Sequence, residues 1–364
     1  MPLYKIALVP GDTVGPELIR QVSKVLLTLS RISDAVFDLV PLTLCGPAIK
    51  KFHTPLPYPE LRKALDCQAV IFGNIGSSEF QGLDLENRPE YALLSLRKHF
   101  SVCCNLRPVH MYDSYQEQSP LKPQYLTKGL DILLVRDIQG GMLAGERQNS
   151  IGKNGRIASD LEYYDEAMIE ASAMLAFQAA SSRHKLVTSL DKANVLASSV
   201  LWRKKVIELG KWFPSITLKH QYIDNAAMNV ITHPDSYDVI LTSNVFGDII
   251  SDELTQLSGT PEFYGSAELA RDKRGIYTPN QLHNPQENLT GKGMVCPIGI
   301  LNAVSMMLEY TCGRHDLSQL LSQAIETVLQ SHITTADMNV PGHTIVSTDC
   351  MGDMVCKQLG VNFP

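Results

Sequence analysis

Asp248 and Asp252 stand four residues apart, just after the short apolar run 237–241. On a helix that spacing stacks both carboxylates on one face, one turn apart. Asp224 follows another strand-like run, 216–223. Three carboxylates that converge make a hard oxygen site suited to Mg²⁺ or Mn²⁺. Taken alone, acids in a first helical turn are explained more simply as complements to the helix dipole. Lys192, in the run Ser189-Leu190-Asp191-Lys192-Ala193-Asn194, is by itself a solvated lysine. Arg97, Arg107 and Arg136 each end or follow a helix or strand pattern, where surface salt bridging would account for any one of them. Three guanidiniums are also what a dicarboxylate ligand needs, because each forks onto a carboxylate.

These residues need elements to hold them. Strand-like runs at 5–9, 36–40, 69–72, 131–135, 185–189, 217–223 and 238–241 alternate with helical patterns at 15–29, 90–99, 162–180, 198–212, 245–257, 298–311 and 317–329. That alternation predicts an α/β architecture. Asp12, ahead of Gly15-Pro16-Glu17, reads as a loop entering a helix with Pro16 near its first turn. The pair Gly11 and Gly15 is not a dinucleotide fingerprint, since the third glycine and the distant acid are absent. At 364 residues the chain has room for two domains. A net charge of −6 gives no reason to expect nucleic acid or an anionic membrane as a partner. The longest apolar stretches, such as 298–308, are too short to span a bilayer. Residues 4–9 already read as the first strand, so no signal peptide is expected. Eight cysteines without zinc-finger spacing fit reduced, mostly buried thiols in a cytoplasmic protein.

Taken together, the segments resemble the β-decarboxylating dehydrogenases, the family of 3-isopropylmalate, isocitrate and tartrate dehydrogenases. The similarity opens at Val9-Pro10-Gly11-Asp12-Thr13-Val14-Gly15-Pro16-Glu17 and runs in order through Leu93-Leu94-Ser95-Leu96-Arg97-Lys98, Asn105-Leu106-Arg107-Pro108 and Val135-Arg136-Asp137. The lysine segment, Tyr222-Ile223-Asp224 and the double-aspartate helix follow. The nearest likeness is to isopropylmalate enzymes. The resemblance implies an isopropylmalate dehydrogenase-like fold and not a Rossmann fold, with two domains sharing a large mixed sheet. Residues 1–102 with 261–364 would form the cofactor-side domain, and 103–260 the substrate and dimerisation domain. It also implies a homodimer whose active-site cleft borrows residues, Lys192 and Asp224, from the neighbouring chain. By the same resemblance Asp224, Asp248 and Asp252 hold Mg²⁺ or Mn²⁺, and Arg97, Arg107 and Arg136 hold the carboxylates of a small dicarboxylate substrate. Leu93 and Leu94 meet its apolar substituent, and Lys192, assisted by Asp224, accepts the 2-hydroxyl proton while hydride leaves for NAD.

Two regions depart from the family pattern. The family returns a proton to carbon through a tyrosine two residues after a glycine pair; here Gly140-Gly141-Met142-Leu143 puts Leu143 in that place. The family's adenosine-binding loop reads EPVHGSAPDIAGKGIANP. In this chain Gln281 takes the histidine position, Leu282 the glycine, Gln286 the ribose-binding acid and Cys296 the asparagine. Pro285 and Gly291-Lys292-Gly293 remain, and Glu262 stands where a glycine is expected upstream. Three functions follow as expectations: a metal-dependent dehydrogenase of a 3-alkylmalate-type 2-hydroxy diacid with loosened cofactor recognition, a catalytically impaired regulatory paralogue that binds a dicarboxylate, or a redox-independent metal-dependent decarboxylase.

Overall fold

In the computed structural model, residues 2–283 and 286–361 are described. The chain divides into two units, one of residues 1–101, 112–118 and 260–364, the other of 102–111 and 119–259.

The first unit is built on strand Ala69–Asn74, whose six residues are all buried. Leu3–Gly11 runs parallel beside it, followed outward by Val36–Pro41; on the other side lie Gly275–Pro279, parallel, and Gly265–Ala270, antiparallel to that strand. A continuous apolar run suits a strand covered on both faces. Helix Gly15–Ile32 covers one face, because Leu18, Ile19, Val22, Val25, Leu26 and Leu29 recur at helical spacing and all are buried. The turn leading into this helix explains the opening motif. Gly11 has φ 69°, and a Cβ there would lie 1.9 Å from the carbonyl oxygen of Asn74. Asp12 then accepts from the backbone N–H of Gly46 and Gly76, both at 2.9 Å, tying this turn to the first turn of helix Cys45–Phe52 and to the loop after strand Ala69–Asn74.

The second unit carries the strand order Val102–His110, Asp131–Asp137, Val239–Thr242, Leu186–Asp191 and Thr217–Tyr222. The first pair is antiparallel and the others are parallel. The mixed pairing in both units agrees with the mixed α/β class read from the sequence. Each of Asp131–Asp137, Leu186–Asp191 and Val239–Thr242 ends beside a residue or helix of the candidate site. An exposed antiparallel hairpin, Arg147–Gly152 with Gly155–Asp160, also belongs to this unit. All eight cysteines are free and six are buried. Among the described residues no helix is long and apolar enough to cross a membrane.

Candidate functional site

The buried strand Val239–Thr242 feeds directly into helix Asn244–Leu257, which carries Asp248 and Asp252 one turn apart. Both carboxylates are solvent-facing, with side chains 49% and 73% exposed. Each faces an arginine from a neighbouring strand. Arg136 donates through Nη1 to Asp248, and Arg107 through Nη1 to Asp252 at 2.7 Å. The guanidiniums are steered from behind: Asn105 Oδ1 accepts from Arg107 Nε at 3.0 Å, and Asn244 Oδ1 accepts from both Nε and Nη2 of Arg136. Asn244 is itself fixed by donating to the Gly140 carbonyl at 2.8 Å and by its N–H to the Tyr164 hydroxyl. Four residues singled out in the sequence, Arg107, Arg136, Asp248 and Asp252, therefore form one row. Only the acids are exposed, since the Arg136 and Arg107 side chains are 12% and 20% exposed, so a ligand that displaces an acid must itself bring an anion to the guanidinium.

Lys192 and Asp224 form a second pair, Nζ to Oδ1 at 2.8 Å. Asp224 opens helix Ile223–Thr232, and the hydrogen bond from Lys192 holds its carboxyl below the usual carboxylate range. Just before Lys192, buried Asp191 accepts both prongs of Arg203 at 2.8 Å, which fixes the strand end. Helices Ile223–Thr232 and Asn244–Leu257 touch. Even so, no group of three or more His, Cys, Asp or Glu side chains able to hold a metal stands together among the described residues. The donor chemistry of Asp248 and Asp252, exposed hard oxygens on one helix face, fits Mg²⁺ or Mn²⁺ once further oxygens are supplied.

Helix Glu90–Phe100 presents Arg97 in its last turn. The two leucines before it separate cleanly: Leu93 is 1% exposed and belongs to the core, whereas Leu94 is 41% exposed. Arg97 grips Glu268 with Nε and Nη2.

Leu143 lies in a loop that is pinned at several points. Asp137 accepts from the N–H groups of Gln139 and Gly140, and burial pushes its carboxyl up to about 7. Gly141 donates to the Tyr163 carbonyl, and Gly145 approaches the Leu161 carbonyl so closely that a Cβ would lie 2.0 Å from it. Leu143 itself is exposed.

At the positions matched to the cofactor loop, side chains are engaged with the protein. Gln281 donates to Glu262 at 2.9 Å, Leu282 is buried, and Cys296 is buried with its N–H on Asp337. Burial pushes the Glu262 carboxyl up. Gln286 is held in the left-handed region at φ 39°, and Pro285 lies outside the described residues. The neighbouring Glu287 accepts from Ser77 and Ser78, while buried Glu17 accepts from the N–H groups of Gly291 and Gly293. No carboxylate at 286 and no open glycine at 282 await a ribose or an adenine ring, so these residues do not fit NAD in the manner of the resemblance.

Two further residues, Glu268 and Asn244, hold Arg97 and Arg136 without standing out in the sequence. Glu268 offers one signal: an acid within the strand Gly265–Ala270, where burial demands a partner. Asn244 offers none, since polar residues at helix starts are common.

A family model described as isocitrate/isopropylmalate dehydrogenase matches residues 5–355. The chain is 38% identical to the 3-isopropylmalate dehydrogenase of Clostridium acetobutylicum over 359 residues, covering 99% of this chain and 100% of that one. It is 38% identical to the Haemophilus influenzae enzyme of the same name, covering 99% and 100%. The crystal structure of isocitrate dehydrogenase from Methylococcus capsulatus superposes with a TM-score of 0.80 at 24% identity, covering 98% of this chain and 99% of that one, a likeness of fold. The chain belongs to the isocitrate/isopropylmalate dehydrogenase family.

Proposed function

We propose that this chain carries out metal-dependent oxidative decarboxylation of a 2-hydroxy diacid of the 3-alkylmalate type, with NAD(P) as the hydride acceptor, held otherwise than the family's adenosine-binding loop would hold it. The observation that carries the reading is the row Arg107, Arg136, Asp248 and Asp252, in which exchangeable cations and carboxylates lie side by side. Relatives named 3-isopropylmalate dehydrogenase, matched over nearly the whole chain, support the reaction class. A divalent cation held by Asp248 and Asp252, with Asp224, would supply Lewis acidity at the substrate's 2-hydroxyl. Lys192, oriented by Asp224, accepts the hydroxyl proton. Arg107 and Arg136 orient the carboxylates, and the family resemblance implies that Arg97 and Leu94 would face the same diacid.

Loss of the family tyrosine at Leu143, together with the Gln281–Glu262 pair, favours one second reading: a catalytically slow subunit that binds the diacid and acts on a competent relative. Turnover by the purified chain alone decides between them.

Leu94 predicts selectivity, because burying a carboxylate against leucine is costly. Calorimetry with Mn²⁺ is expected to give tighter binding of 3-isopropylmalate than of isocitrate. Tight isocitrate binding with none of isopropylmalate would reverse the assignment.

The site is completed by a second copy, with Lys192 and Asp224 supplied across a homodimer. Separation of the Lys192–Asp224 pair from Asp248 and Asp252 within one chain supports this, as do exposed Met228, Ile231 and Ile249 on the two touching helices. Mixing inactive Asp248→Asn and Lys192→Ala chains should then restore about a quarter of the sites when subunits exchange freely. Exchange without any regained activity would show that each site is built from one chain.

A further inference from the structure

A buried counter-charge is fastened to Arg97. Its Nε donates to Glu268 Oε2 at 2.7 Å and its Nη2 donates to Oε1, the side-on fork that one carboxylate fills. Glu268 lies in a strand whose six residues are all buried, and its side chain is 5% exposed against 35% for Arg97. That asymmetry decides which partner can leave. Asp248 and Asp252 face solvent and can leave Arg136 and Arg107, provided a ligand's carboxylate takes their place on those largely buried guanidiniums. Glu268 cannot, because parting it from Arg97 would strand a buried charge. Arg97 thus keeps its counter-charge whatever binds. The pair presents no net charge to the helix face it shares with Leu94, three residues earlier.

We infer that Glu268 is a specificity-determining residue, which neutralises Arg97 and so limits how much negative charge a ligand can bring beside Leu94. The inference rests on the reading that Arg97 faces the substrate. A bare guanidinium would draw in any extra carboxylate; a compensated one offers it little attraction, with Glu268 repelling it from behind. The accepted class narrows to acids with two carboxylates and an apolar third substituent. A tricarboxylate is turned away by charge as well as by the leucine surface.

The test is binding of isocitrate and of 3-isopropylmalate, each with Mn²⁺, to the unmodified chain, Glu268→Gln and the double variant Arg97→Met/Glu268→Met. Glutamine keeps an acceptor for the guanidinium and removes the charge. Glu268→Gln is expected to tighten isocitrate about tenfold or more, the scale of 1.4 kcal/mol, and isopropylmalate by a smaller factor. The double variant removes both charges, a replacement that buried pairs commonly tolerate, and should weaken both ligands alike through the loss of Arg97, leaving the ratio of the two affinities within about threefold of that of the unmodified chain. Suppose instead that the double variant loses isopropylmalate about tenfold while Glu268→Gln changes neither ligand. Arg97 then grips a substrate carboxylate despite Glu268, and the inference falls while the reading of Arg97 stands. If neither variant alters either ligand, Arg97 lies away from the substrate and both fall.

Discussion

Replacing Leu143 by tyrosine is expected to raise the rate of decarboxylated product formation by about 10²–10⁴-fold, the usual contribution of a positioned general acid. Leucine has no proton to give, so the unmodified chain must return a proton to carbon from water. The substitution should fold well. Leu143 is exposed, and its loop is fixed by the glycines and Asp137 around it and not by the leucine side chain. NAD affinity should stay unchanged, since nothing at positions 281–297 is altered. The converse variant, Leu282→Gly with Gln286→Asp, should tighten NAD and leave the protonation rate alone. A regained charge-assisted hydrogen bond contributes roughly 1.5–3 kcal/mol. The two variants together separate the chemical step from cofactor binding. Ordinary NAD dissociation and turnover in the unmodified protein would mean that other residues have taken over both roles.

Neutralising Asp248 or Asp252 to asparagine is expected to abolish Mn²⁺ binding, followed by calorimetry. Each removes one of the two carboxylates that a single chain places on the helix face. Stability should change little. The acids are the exposed side of these ion pairs and asparagine keeps an acceptor for each largely buried guanidinium, so the loss is about 1 kcal/mol, which for a chain this size moves the melting point by about 2–4 °C at most. Unchanged metal affinity in both variants would remove these aspartates from the metal site.

Much of this is legible in the residues. The helix read at 15–29 extends to Ile32, because its apolar stripe is regular and Pro16 and Glu17 mark its start. The run read as helical from 162 begins at Glu166 instead: Asp165 caps it by accepting from the Met168 N–H, and residues ahead of a cap are not helical. The strand Val102–His110 is absent from the runs read in the sequence, since its polar Asn105 and Arg107 interrupt the apolar pattern. The hairpin at 147–160 leaves no signal because both strands are solvent-facing and lack the alternation that a buried face imposes. Helix Thr348–Val361 has only a weak apolar stripe and is equally silent. The arginines and aspartates are recognisable by type and spacing, but their pairing is not. Arg97 and Glu268 are 171 residues apart in sequence, and no local pattern links them. The leucines at 93 and 94, read together in the sequence, differ in exposure for a geometric reason. Adjacent helical residues point about 100° apart, and here Leu93 faces the core.

The most direct measurement is a calorimetric titration of 3-isopropylmalate into the unmodified chain with Mn²⁺, without Mn²⁺, and with Mn²⁺ plus NAD. Saturable binding that requires the metal, and changes little when NAD is added, is the predicted result. Binding that is indifferent to Mn²⁺, or no binding of the diacid under any of the three conditions, would contradict a metal-dependent diacid site on this chain.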